Sequence, residues 1–475
     1  MNNFSKVAEI FPQVLEVENT PDILDFVVPE KGFLLWPVIR YTVLTSCLEH
    51  FFPGNYFFPK AALAETSRSR YSLFFKTLLQ CVPPWPKRKI WICAAVGSAY
   101  YKIKNGRLYN HYIEPFAEVM PEHTLLVDFS HGPEFIPPTP AYPIRRTAPI
   151  NLVAGKLTRY RTVPQAEKNV TECIKFIKNR IKTVLGVDLP STNYAQWNET
   201  LLHYCKRSWI EYSVYSKLIT SSTPSLFIFE GLLYGGLGYI VRLCKELGIT
   251  VGDLQHGLIH PRQPALNWAD TLVNDVRLQR ESSDIYFTYG EYWHQFFKAC
   301  GTPIAVGNPW FSQFQSIGSE KSTSSILFTL SIYYDEFLPF IAKVLESFPE
   351  REVVLRPHPS EWSVFEQSKI RHLEGVTIDY NKNIYETFSR VHTAIGTFST
   401  SLYEAAALGK RVLLRSLDPD AYVSNHFFEF FDTPEELVEK LQHTDWAPLE
   451  DVYDVFFARN WEENYKNAVA QILSN

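Results

Sequence analysis

Paired cysteines, long apolar runs and a metal-ligand spacing are all missing from this 475-residue sequence, and each absence argues against a class of protein. The cysteines (Cys47, Cys81, Cys93, Cys173, Cys205, Cys244 and Cys300) are odd in number, scattered and without a C-x-x-C pair. That pattern excludes a disulfide scaffold and a thiolate zinc site and fits a reducing, cytoplasmic setting. Lys6, Glu9, Glu16 and Glu18 interrupt the apolar residues of the first twenty positions, so no secretory leader is expected. No uncharged apolar window of about eighteen residues occurs, so no spanning helix is expected either. The formal net charge of -5 argues against general nucleic-acid binding. No internal repeat is present. The glycines at 231, 235, 236 and 238 do not form a dinucleotide fingerprint. Asp418-Pro419-Asp420 has the D-x-D form of a metal site but lies in a proline turn, where a solvated loop is expected. Neither a metal nor a cofactor is therefore expected.

The second half of the chain alternates apolar β-like runs with helical segments, the pattern of a parallel sheet covered on both faces. Strands are predicted at 226–229, 250–254, 285–288, 304–306, 326–329, 353–355, 376–378, 393–395 and 411–414, with helices over 232–247, 291–300, 334–348, 383–389 and 401–408. Residues 316–324 are small and polar, which resists burial and marks a linker. The division expected is therefore 1–315, 325–450 and a C-terminal helix within 454–475 that packs back on the first domain. Earlier in the chain, strands are predicted at 89–96 and 124–128, helices through 160–222, and irregular loop over the proline-rich 132–150.

Two motifs follow strands of the second domain. Arg356-Pro357-His358-Pro359 comes directly after Val353–Leu355, and Thr397-Phe398-Ser399-Thr400-Ser401-Leu402-Tyr403-Glu404 after 391–395. Ligands of open α/β sheets bind beyond the carboxyl ends of strands, which puts both motifs on one rim. A guanidinium fork at Arg356, a second donor at His358, and the hydroxyls of Thr397, Ser399, Thr400 and Ser401 at a helix start suit a phosphate or diphosphate. Ser331, after Thr329, is a weaker phosphate contact. In the first domain Asp253-Leu254-Gln255-His256-Gly257 ends a strand and turns on glycine. A neutral His256 there serves as base or donor. Glu230 also ends a strand and is the general-base candidate for an acceptor hydroxyl; with retention of configuration, Glu230 or Asp253 would instead be the nucleophile. Structural alternatives stay open for each: a capped turn, a helix start, a core histidine.

Two doubly wound (Rossmann-like) α/β domains facing a cleft, a linker after Gly307-Asn308-Pro309, a phosphate rim and a closing helix resemble the GT-B glycosyltransferases. Within that class His358-Pro359 and Ser399-Thr400 are similar to motifs of bacterial sialyltransferases and Kdo transferases, which bind CMP-sugars. Those families place two acidic residues before a glycine, where this chain has Phe229-Glu230-Gly231. The resemblance implies transfer of a sugar from a nucleotide donor to a lipid-linked or growing surface polysaccharide, with Glu404 accepting the ribose hydroxyls. Sugar-nucleotide 2-epimerases and CDP-glycerol-type glycerophosphate transferases share these elements and stay open as alternatives. Arg68, Arg70, Lys76 and Lys87 to Lys89, interleaved with Tyr71, Phe74, Phe75 and Trp85, suit peripheral contact with the inner membrane, where such an acceptor is presented. The partners expected are thus a nucleotide sugar and a glycan acceptor.

Overall fold

The computed structural model describes residues 5–52, 85–94, 101–104, 107–128, 142–158, 163–319, 324–330, 334–358, 361–381, 383–397, 399–415, 427–443 and 451–474. Strands β1 (Ile90–Ala94), β4 (Thr124–Asp128), β5 (Ile144–Arg146), β6 (Leu226–Glu230), β7 (Thr250–Leu254), β8 (Ile285–Thr288) and β9 (Thr302–Ala305) form a parallel sheet in the order β5-β4-β1-β6-β7-β8-β9. A small antiparallel hairpin, β2 (Tyr101–Lys104) and β3 (Arg107–Asn110), stands apart from it. Strands β10 (Ile326–Leu330), β11 (Val353–Pro357), β12 (Val376–Ile378), β13 (Thr393–Gly396), β14 (Arg411–Arg415) and β15 (Glu429–Phe431) build a second parallel sheet, ordered β12-β11-β10-β13-β14-β15. The chain is an α/β protein of two doubly wound domains.

The central strands are parallel because they are apolar on both faces. In β6 every residue is buried. Phe227 and Phe229 join the core beneath the Pro164–Leu185 and Ser191–Ser222 helices, while Leu226 and Ile228 join the core on the other face, with Phe116 and Tyr465. The helix Trp461–Ser474 lies on that second face, with the Tyr465 ring 4.7 Å from Phe116 and 6.0 Å from Phe287. A third core joins the domains: Tyr286, Tyr289 and Trp293 pack with Leu327, Val354, Leu402 and Tyr403.

The strand orders fix where ligands go. Winding reverses between β1 and β6 in the first sheet and between β10 and β13 in the second, and the crevice outside the carboxyl ends at such a reversal is the natural binding place. Glu230 ends β6. Residues 397–401 follow β13 directly. At the second reversal the chain needs a glycine, because a Cβ at Gly396 would collide with the Thr329 hydroxyl on the neighbouring strand.

Several sequence expectations change. Residues 142–150 are not irregular: Pro143 precedes the three-residue edge strand β5, and Pro149 sits in the first turn of the helix Ala148–Leu157, both positions that tolerate a missing N–H. Residues 232–247 split into a short turn, Leu232–Tyr234, and a helix, Gly238–Glu246, separated by Gly235 and Gly236 at positive φ. Glu291–Phe296 is a 3-10 turn rather than a full helix. Phe311–Ser319, which includes the start of the expected linker, is also 3-10 helix.

Candidate functional site

At the end of β6 the Glu230 side chain is fully buried. One carboxyl oxygen, Oε2, accepts from Asn110 Nδ2 at 3.4 Å, while Oε1 has no partner among the described residues. Burial pushes this acid up to about 8; the Asn110 hydrogen bond opposes the shift and the neighbouring Asp253 charge adds to it. A carboxyl of that strength exchanges its proton near neutrality.

One strand over, Asp253 points to the opposite face of the sheet, since it pairs with Phe229 while Glu230 pairs with Leu254. Its Oδ1 accepts from the N–H groups of Gly231 and Leu254, both at 2.9 Å. Asp253 thus caps the turn that follows Glu230. Burial raises it to about 7 against these backbone hydrogen bonds. His256, in the loop after β7, packs 5.3 Å from the Tyr234 ring and 6.4 Å, edge-on, from Tyr112. Burial pushes its imidazole down to about 4, so it is neutral at pH 7 and a weak base.

The second rim differs. Arg356 pairs with Asp379 at the end of β12, and the same Asp379 oxygen accepts from Thr387 at 2.6 Å. The guanidinium is 8% exposed and its charge is locally compensated. His358 is exposed, its N–H held by the Leu330 carbonyl at 2.9 Å. Thr397 is buried. Ser399 is the N-cap of the helix Thr400–Ala407: its Oγ accepts from the Ser401 N–H at 3.3 Å and lies 2.7 Å from Ser401 Oγ. Thr400 and Ser401 are partly exposed in the first turn. β11 and β13 flank β10, so Arg356 and the 397–401 segment lie two strands apart, roughly 10 Å.

Glu404, one turn into that helix, faces the domain junction. Asn308 of the Gly-Asn-Pro turn donates to its Oε1 at 3.3 Å, and the buried Tyr385 phenol is raised by burial first and then by the Glu404 charge. Tyr289, directly after β8, has its N–H fixed by Gln255 Oε1 at 2.8 Å. Its phenol is raised by burial and then by the charges of Tyr112, Glu404, Tyr286 and Glu230, so it stands within electrostatic reach of both carboxylates. A small pocket at this junction is lined by His111, Tyr112, Gln255, Tyr289, Gly307 and Asn308, among others. The structure therefore gathers Glu230, Glu404, the Asn308 of the Gly-Asn-Pro turn, and polar and aromatic residues that the motif reading did not name: Asn110, Tyr112, Tyr289 and Tyr385. Tyr289 was discoverable, since it is the first residue beyond a predicted strand. Asn110 carries no sequence signal.

Ser331, Pro359, Phe398, Asp418-Pro419-Asp420 and the basic stretch from 68 to 84 lie outside the described residues. The described end of that stretch is not a free amphipathic surface: Trp85 is buried 5.1 Å from Trp91, and Arg88 donates to the Glu122 carbonyl. Among the described residues there is no group of three or more His, Cys, Asp and Glu placed to hold a metal, and no helix long and apolar enough to cross a membrane.

No family model matches this chain, and no curated protein matches its sequence. Solved structures do. The UDP-GlcNAc 2-epimerase of Neisseria meningitidis bound to UDP-GlcNAc is similar at 11% identity and a TM-score of 0.45, over 81% of this chain and 99% of that one. A variant of the wall teichoic acid polymerase TagF is similar at 12% identity and 0.44, over 86% and 92%. The UDP-GlcNAc 2-epimerase of Methanocaldococcus jannaschii is similar at 11% identity and 0.43, over 81% and 98%. At these identities the likeness concerns the two-domain α/β fold alone.

Proposed function

We propose that this chain is a GT-B-type glycosyltransferase that moves a sugar from a nucleotide donor to a glycan acceptor, with Glu230 as general base. One observation carries the reading. It is supported by a buried carboxyl near 8, Glu230, at the first winding reversal and a helix N-terminus with Glu404 behind it at the second, with Tyr289 in electrostatic reach of both carboxyls.

In this reading the donor phosphate sits on the first turn of the Thr400–Ala407 helix, where the positive end of the helix and the hydroxyls of Ser399, Thr400 and Ser401 meet its charge. Thr397 shapes the floor, and Glu404 exchanges its Asn308 contact for the ribose hydroxyls. Arg356 and His358 line the same rim, with Asp379 balancing Arg356, and no metal is assigned. Glu230 takes the proton of the acceptor hydroxyl as its oxygen bonds to the sugar carbon and the bond to the departing phosphate breaks. A group near 8 suits that task better than His256, which is neutral and too weak a base. Asp253 holds the turn beside Glu230. The motifs His358-Pro359 and Ser399-Thr400 favour a CMP-sugar, and a lipid-linked or growing surface polysaccharide at the inner membrane is the acceptor class that goes with it.

Calorimetry with CMP, CDP and UDP, followed by mass spectrometry of the matching nucleotide sugars with and without glycan acceptors, tests this. One nucleotide should bind, and sugar should appear on acceptor. An epimerised nucleotide sugar released without acceptor, or transfer of glycerophosphate, would replace the reading.

A further inference from the structure

Asn110 ends β3 and is held at three points, two on its side chain and one on its backbone. Its Oδ1 accepts from the Tyr112 N–H at 3.0 Å, while its backbone N–H donates to Glu114 Oε1 at 2.7 Å. Glu114 is itself fully buried and held through its other oxygen by the Tyr142 hydroxyl. With Oδ1 engaged by an N–H group, the amide cannot be turned over without setting donor against donor. Asn110 therefore presents Nδ2, a donor, to Glu230 Oε2. The bond goes to one oxygen only, leaving Oε1 buried and without a partner among the described residues.

We propose that Asn110 is the positioning residue of the base: by donating to Oε2 it fixes the carboxyl plane of Glu230 and makes Oε1 the oxygen that receives the acceptor proton. This rests on the reading of Glu230 as base. In the step itself the proton passes from the acceptor hydroxyl to Oε1, the acceptor oxygen's electron pair forms the new bond to the sugar carbon, and the pair of the old carbon–oxygen bond leaves on the nucleotide phosphate. Asn110 touches neither sugar. It acts by favouring the ionised carboxyl, since a donor at Oε2 stabilises the anion and not the acid. Other groups near this carboxyl are the buried Asp253, Cys93 and Tyr289, and Asp128 at the end of β4 also bears on Cys93. The link also ties the base to the junction, because Tyr112, whose N–H holds the Asn110 oxygen, lines the pocket there.

The test uses Asn110→Ser, which keeps an oxygen for the Tyr112 N–H but cannot reach Glu230, and Asn110→Leu, which removes both. Transfer is measured from pH 5.5 to 10 on the full chain, with nucleotide affinity by calorimetry as the check on folding. The serine variant should bind nucleotide as the parent does, and the rising limb of its kcat/KM profile should move up by roughly one pH unit, with about tenfold lower rate at pH 7 and recovery at high pH. The leucine variant should shift the same way. An unmoved limb, or an equal loss at every pH, would overturn the positioning role. Glu230→Gln separates the two levels: if it still transfers, the base reading fails; if it is inactive while both Asn110 variants keep the parental limb, only this inference fails.

Discussion

The rims at the two winding reversals of this molecule are built on opposite principles. On the second, polar groups near the winding reversal are matched among the described residues: Arg356 with Asp379, Asp379 with Thr387, Ser399 with the Ser401 N–H, Glu404 with Asn308. On the first, two carboxyls at neighbouring strand ends are buried, and each keeps one oxygen without a partner among the described residues. Buried polar groups are normally satisfied, and the exceptions collect where chemistry is done. In the proposed reading the satisfied rim holds the ligand and the unsatisfied rim exchanges the proton.

The sharpest way to break that contrast is to remove the reactive carboxyl and leave its shape. Glu230→Gln should lower the transfer rate by about 10²- to 10⁴-fold, the usual contribution of a general base, with nucleotide affinity unchanged; steady-state rates and calorimetry on the same preparation decide. The counterpart on the satisfied rim is Asp379→Ala, which leaves the Arg356 guanidinium buried and uncompensated. It should cost about 3–5 kcal/mol of stability, read from denaturant unfolding, because a broken buried pair leaves a charge without solvent or partner. A loss below about 1 kcal/mol would mean that Arg356 simply turns to solvent.

The smallest effect is a pH-dependent one. Glu230 holds its proton more tightly folded, near 8, than unfolded, so its stabilisation is complete below the ordinary carboxylate range and is lost as pH rises through about 8. Glu230→Gln cannot ionise. Relative to the parent, its thermal midpoint should therefore rise between pH 5 and pH 9, by a few degrees, as followed by circular dichroism. Asp253 and Glu281, both raised to about 7 by burial, titrate with the same sign and stay in both proteins, so the variant's own midpoint still declines with pH.

The contrast also explains what the sequence made legible. β4, β7 and β8 match their predicted limits to the residue, because each is a run closed by a turn signal, and burial on both faces leaves such a run one fate; the half-exposed edge strand β12 matches as well. β5 and β15 escaped, being three-residue edge strands whose pairing is decided by neighbours. The second rim was readable because its parts are adjacent in the chain: Ser399, Thr400, Ser401 and Glu404 lie within six positions. The first rim was readable only as single residues. Asn110 reaches Glu230 across 120 positions, and Asn308 reaches Glu404 across 96, pairings set by the fold and carried by no local pattern. Asp379, too, is an unremarked residue after a three-residue strand until the sheet order brings it beside Arg356.

The most direct test of the central claim is the pH dependence of kcat/KM for transfer by the unmodified chain, with the donor found in the nucleotide screen. With Glu230 as the group that must lose its proton, the logarithm of kcat/KM should climb with unit slope and level off near pH 8, and Glu230→Gln should abolish that limb. A profile flat from pH 5.5 to 10, or a limb that persists in the glutamine variant, would contradict it.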